Sequence, residues 1–189
     1  FSSCLTDTAH TFISNSSILG KVYFPRLVMP IATTCSQFIS FAIQFVFMIL
    51  FILYYLIIGV NISPNIYMLM TPVLLIQLAL LGLGFGTIIS SLTTKYRDLN
   101  MLIAFGVNLW SYSSPVAYDM FNRGALAPGG QFYSLYMLNP ITPIINIFRY
   151  AFLGIGSVDW FYYGMSWGVT IIVVGIGVLL FSRVEKTFM

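Results

Sequence analysis

Thr33, Gln37, Ser40 and Gln44 stand in an otherwise apolar stretch at steps of four, three and four. At 3.6 residues per turn this spacing puts all four on one helical face. Hydroxyl and amide groups lined up in this way can hydrogen-bond a neighbouring helix. They can also form one wall of a hydrated pathway. Met101, Phe105, Asn108 and Tyr112 repeat the same steps further along. Aromatic faces pack on the C–H faces of sugars, while amide and hydroxyl tips reach sugar hydroxyls. The same four side chains would serve equally as packing, with Tyr112 at a membrane–water boundary. Arg149, alone in an apolar segment, is the third candidate. Its guanidinium suits either an ion pair with Asp119 or Asp159 or a contact to an anionic or sugar substrate.

Other chemistries find no support. Gly20-Lys21-Val22 lacks the upstream glycine spacing and the Ser or Thr of a phosphate-binding loop. Gly82-Leu83-Gly84-Phe85-Gly86 has no strand before it and sits in an apolar run, where Gly82, Gly86 and Ser90 form a small-residue stripe for close helix packing. His10 has no second His or Cys at ligand spacing, so no metal site is expected. Cys35 lies in an apolar run, which gives no expectation of a disulfide with Cys4. Asp98, Asp119 and Asp159 are not grouped as acid–base chemistry would require. A net charge of +3 from scattered basic residues makes no nucleic-acid surface. No cofactor is expected on this chain, and the energy for any uphill transport must come from another subunit.

The elements that position these residues are membrane helices. Residues 27–94 contain no Lys, Arg, Asp or Glu, and neither do residues 99–118. Charged residues make up 7% of the chain, against about 25% in soluble domains. Mean hydropathy is +0.93. A hydrocarbon core about 30 Å thick takes roughly 20 apolar residues per helix. Four spans are expected, over 29–59, 66–92, 99–118 and 160–182. Asn61-Ile62-Ser63-Pro64-Asn65 marks the first turn. The long first window calls for tilt or an interfacial first turn after Pro30. Lys21, Arg26, Lys95, Arg97, Arg183 and Lys186 then share one side, with Arg123 and Arg149 on the other, which makes the first side cytoplasmic. A fifth apolar stretch, 133–156, contains Arg149 and the break Asn139-Pro140-Ile141-Thr142-Pro143. It is expected as a re-entrant or surface-lying helical pair on the external face. Ahead of the first span, Asn15 or Ser17 can cap a short cytoplasmic helix that Pro25 ends. The fold class is therefore an all-α integral membrane protein. Phe1 opens a polar–apolar mixture that reads as the middle of a helix, so an earlier segment is expected to precede it.

Five segments resemble, in order, the polysaccharide-exporting ABC transporter permeases, the membrane subunits for O-antigen (Wzm-like) or teichoic acid (TarG-like). Leu19-Gly20-Lys21-Val22-Tyr23-Phe24-Pro25-Arg26-Leu27 with Met29-Pro30 is similar to the family's coupling segment. Lys95-Tyr96-Arg97-Asp98-Leu99 resembles the cytoplasmic turn before its fifth helix, and Ser114-Pro115-Val116-Ala117-Tyr118 the external end of that helix. Asn139-Pro140 with Arg149 and Gly154 resembles the external gate, and residues 181–189, with Glu185 and Phe188, the cytoplasmic tail.

The resemblance implies an N-terminally incomplete transmembrane domain over 1–189, with the spans corresponding to the family's third to sixth helices. Within it, 15–26 is the coupling segment, 29–118 three transmembrane helices, 119–159 the external gate region, 160–182 the last helix and 183–189 the tail. It implies a homodimer with two separate ATPase subunits, which carry ATP and Mg and grip Ile18, Lys21, Tyr23, Phe24, Pro25 and Arg26. An undecaprenyl-diphosphate-linked glycan would pass Gln37, Ser40, Gln44, Phe105, Asn108 and Tyr112 in the bacterial cytoplasmic (inner) membrane. Asn139, Pro140 and Arg149 would form the gate. A drug- or lipid-exporting ABC permease shares this layout but wants a more apolar cavity. A membrane acyl- or glycosyltransferase would need the grouped acids that this chain lacks.

Overall fold

Where lipid replaces water, every backbone N–H and C=O must find its partner within the protein, and a helix does this locally. The computed structural model describes residues 1–14, 28–60, 63–93, 99–116, 118 and 129–187, and every regular element among them is helical. The helices are α1 (Ser2–Ser14), α2 (Val28–Ile57), α3 (Thr71–Thr93), α4 (Leu99–Ser113), α5 (Tyr133–Met137), α6 (Ile141–Leu153) and α7 (Trp160–Thr187). A 3₁₀ turn, Ile66–Met70, leads into α3. Among the described residues three helices are long and apolar enough to cross a membrane: Val28–Ile57, Ile66–Thr93 and Trp160–Leu180.

Local sequence explains most of the boundaries. Pro30 lies in the first turn of α2, where its missing N–H costs nothing. Its carbonyl accepts from the hydroxyls of Thr33 at 2.9 Å and Thr34 at 2.8 Å. At 30 residues α2 is about 45 Å long, which exceeds the hydrocarbon thickness, as the long first window anticipated. It ends in a Schellman turn: Gly59 adopts φ +86, its N–H reaches the Leu56 carbonyl, and the Val60 N–H reaches Tyr55. The third expected span departs from its window. Its helix, α4, holds 15 residues, about 22 Å, and Pro115 follows shortly after its end.

The chain divides into two compact units. In the first, comprising 1–38, 78–111 and 170–189, α1 lies along the small-residue stripe of α3. A Cβ on Gly82 would fall 2.8 Å from Cys4 Sγ, and one on Gly86 would fall 2.5 Å from Thr8 Cβ. The glycines therefore permit a backbone approach that any larger residue would prevent. Gly84 does the same for α7, where a Cβ would meet Val173 at 3.0 Å. Leu5, Ala9, Ile103 and Val107 form the apolar core, flanked by Phe1, Phe85, Ile89 and Trp110. The Gly82–Gly86 run is thus mid-helix packing.

The second unit comprises 39–77 and 112–169. Here the stretch expected as a helical pair forms α5 and α6, with a corner at 138–140. The α6 helix buries Ile141, Ile144, Ile147, Ala151 and Phe152. The Asn65 N–H donates to the Ala151 carbonyl at 2.9 Å, and Tyr67 packs edge-on against Tyr150. Gly154 closes α6 at φ +70 with Ser63 pressed against its Cα, so both the backbone angle and the space require glycine.

Candidate functional site

Two segments that are distant in sequence meet at the α5–α6 corner. The Asn139 amide nitrogen donates to Ser114 Oγ at 3.0 Å, and its Oδ1 accepts from the Ile141 N–H at 3.2 Å. One side chain thus caps the start of α6 and ties the corner to the residue that follows α4. Pro140 stands at the N-cap, where the first-turn N–H groups go without intrahelical partners and proline gives up nothing. Its carbonyl accepts from Ser166 Oγ on α7 at 2.6 Å. Ser166 in turn accepts from the Gln77 amide nitrogen on α3 at 2.9 Å.

Arg149 completes the contact from the third turn of α6. Its guanidinium donates to the carbonyls of Pro115 at 3.0 Å, Tyr118 at 3.3 Å and Val116 at 3.4 Å. These carbonyls belong to the non-helical segment just beyond the end of α4, where no helix ladder occupies them. A planar cation with several donors suits such a cluster. The acceptors described for Arg149 are backbone carbonyls. Of the acids considered as partners, Asp159 accepts from the Tyr133 hydroxyl, and Asp119 lies outside the described residues. Tyr133 and Met137 form a small core that Tyr118, Tyr136 and Tyr162 cover. An aromatic cluster of this kind suits a membrane–water boundary.

The residues of the α2 polar stripe differ in their surroundings. Thr33 bonds back to its own helix, and Gln37 donates to the Asp7 carboxylate on α1. Ser40 and Gln44 are exposed. Gln37 therefore serves the interhelical bond that such spacing allows, and only the later half of the stripe is open. On α4, one face buries Ile103 and Val107, at 9% and 8% exposure. Phe105 and Tyr112 are 63% and 78% exposed, and Asn108 is exposed with them. Leu102 and Leu109 are also open on this helix. Ile18, Lys21, Tyr23, Phe24, Pro25 and Arg26 lie outside the described residues, as do Lys95, Arg97 and Arg123.

Sequence reasoning passed over Gln77 and Ser166. The available signal was Gln77 as a lone amide within Leu74-Leu75-Ile76-Gln77-Leu78-Ala79-Leu80-Leu81. A polar group so placed needs a protein partner.

Comparison with known proteins gives the family. The family model for the ABC-2 type transporter matches residues 1–153. Two O-antigen export system permease proteins RfbA, both from Klebsiella pneumoniae, are similar along the entire chain. One is 24% identical and the other 25%, each over 191 aligned residues that cover 100% of this chain and 69% of the relative. With the family model covering most of its length and its helices long and apolar, this chain belongs to the ABC-2 type transporter family and is a multi-pass permease of the inner membrane.

Proposed function

We propose that this chain is the membrane subunit of an exporter that moves a lipid-linked polysaccharide, of the O-antigen or teichoic-acid type, across the cytoplasmic membrane. The observation that carries this reading is the open face of α4. Phe105, Asn108 and Tyr112 stay uncovered while Ile103 and Val107 are buried. Two rings and an amide on one face can slide along a sugar chain, stacking on C–H faces and exchanging hydrogen bonds. The names of the Klebsiella relatives point to the same substrate class. Ser40 and Gln44 on α2 would add hydroxyl and amide contacts to the path.

In this reading two copies of the chain enclose the pathway, four helices of each cross the bilayer, and α5–α6 form an external re-entrant gate. Asn139 and Arg149 tie that gate to the end of α4, so a shift of α4 is felt at the corner. Two separate ATPase subunits bind ATP and Mg and grip the segment around Ile18, Lys21, Tyr23, Phe24, Pro25 and Arg26. Closure of the ATPases drives that segment against the helices. The chain contributes path and gate, and the bond-breaking chemistry stays on the partner.

Depletion of the chain in its own host tests the proposal. The undecaprenyl-diphosphate-linked glycan should accumulate at the inner leaflet while surface polymer falls. Normal surface polymer, with an apolar drug or a simple lipid retained instead, would favour a drug- or lipid-exporting permease. The open Leu102 and Leu109 are the feature of α4 that such a substrate would use.

A further inference from the structure

We propose that Gln77 and Ser166 form a buried latch that sets the resting position of the Asn139–Pro140 corner, a role that rests on reading α5–α6 as the gate. The corner has two attachments of different kinds. Towards α4 it is held by Asn139 on Ser114 and by Arg149 on three carbonyls. Towards α7 and α3 a second attachment runs through the Pro140 backbone oxygen. The Pro140 carbonyl accepts from Ser166 Oγ at 2.6 Å, and Ser166 accepts from the Gln77 amide at 2.9 Å. Gln77 is fully buried and Ser166 is 2% exposed.

The chemistry of the pair suits a latch that opens and recloses. Both groups are neutral, so parting them leaves no charge in an apolar interior. Neutral interhelical hydrogen bonds are individually weak in membranes. Ser166 acts at once as donor and acceptor, which a hydroxyl does and a methyl cannot. Gln77 fixes the direction of the Ser166 proton: by donating to Oγ, it leaves the hydroxyl hydrogen for the Pro140 carbonyl. Gln77 is accordingly a positioning residue, acting on the corner through Ser166. Its Oε1 and the hydroxyl of Thr142, both buried, have no hydrogen-bond partner among the described residues.

The test uses the complete transporter with its ATPase subunits in membranes and with Cys35 replaced by Ser. A single Leu138→Cys, at an exposed corner position, reports the state of the gate by its rate of reaction with a maleimide. Ile43→Cys, exposed on α2, reports general loosening. Ser166→Ala and Gln77→Met should each speed labelling at residue 138 by roughly fivefold in permeabilised membranes without nucleotide, the shift that losing one net hydrogen bond produces. Ser166→Thr keeps the hydroxyl and should restore the parental rate, and labelling at residue 43 should not change. Equal rates for Ser166→Ala and Ser166→Thr would overturn the latch, as would a parallel rise at residue 43. Labelling of intact cells with an impermeant maleimide addresses the gate reading separately. Failure of residue 138 to react from outside would overturn the external placement, while the rate ratios in permeabilised membranes still decide the latch.

Discussion

Arg149 on α6 donates to the carbonyl of Pro115, 3.0 Å away beyond the end of α4. The same guanidinium reaches Val116 and Tyr118, so one side chain gathers three carbonyls of the segment that follows the helix. Hydrogen bonds to a charged group contribute about 1.5–3 kcal/mol each in favourable cases. Arg149→Ala should destabilise the protein by about 2–4 kcal/mol, read as a fall in melting temperature in detergent. Arg149→Lys keeps the charge but not the fork, and should recover less than half of the loss. Full recovery by lysine would mean that charge alone matters at this position.

Close packing of α1 on α3 gives a second prediction with a built-in control. A Cβ at Gly86 would press on Thr8 at 2.5 Å and on the Leu5 carbonyl at 3.1 Å. Gly86→Ala should cost about 1–3 kcal/mol through overpacking. On α4, an added Cβ at Gly106 meets nothing within 4 Å. Gly106→Ala should be neutral or stabilising by up to about 1 kcal/mol, because alanine is the better helix former. Thermal unfolding of the two variants in the same detergent separates the effects. Equal melting temperatures would contradict the close approach.

On the open face of α4, Phe105→Ala and Tyr112→Ala remove side chains that contribute little to the chain's own packing. Each variant should keep the parental melting temperature. Export of polymer should slow by about threefold to tenfold, the range expected for losing an aromatic contact. Pulse-labelled polymer arriving at the cell surface gives the rate. Unchanged export in the double variant would remove these residues from the pathway.

The segment 18–26 is proposed to meet the ATPase. Reversing charge at Lys21 and Arg26 together should weaken association at least tenfold, because like-charge contacts across an interface are costly. Co-purification with the ATPase and stimulation of ATP hydrolysis should fall together. Retention of both would place the docking surface elsewhere.

The long helices were legible because lipid imposes one rule on composition. The window 29–59 matches α2 at Val28–Ile57, and 66–92 matches the 3₁₀ turn with α3. The start of α7 at Trp160 was legible for the same reason, and so was the small-residue stripe, since only close packing explains glycines at that spacing inside an apolar run. The extent of α4 was less legible. Its window was read from the absence of charge, whereas its end is set by local backbone geometry near Pro115. The partners of Arg149 were not legible either. Sequence shows which acids a cation could pair with, but the carbonyls of a non-helical segment look like any other backbone until the fold brings them to the cation. Gln37 illustrates a further limit. Helical periodicity placed it on a face with Ser40 and Gln44, yet α1 brings Asp7 to meet it and leaves the other two open. A face drawn by one helix is divided by whichever neighbour arrives, and that depends on tertiary packing.

The most direct measurement is transport by the purified complex of this permease with its ATPase subunits in proteoliposomes. A lipid-linked glycan supplied on the ATPase side should reach the opposite leaflet only when ATP and Mg are present, with turnover lowered in the Phe105→Ala/Tyr112→Ala variant. Glycan movement independent of ATP would contradict the account, and so would ATP-driven movement of simple lipids or drugs with the glycan left behind.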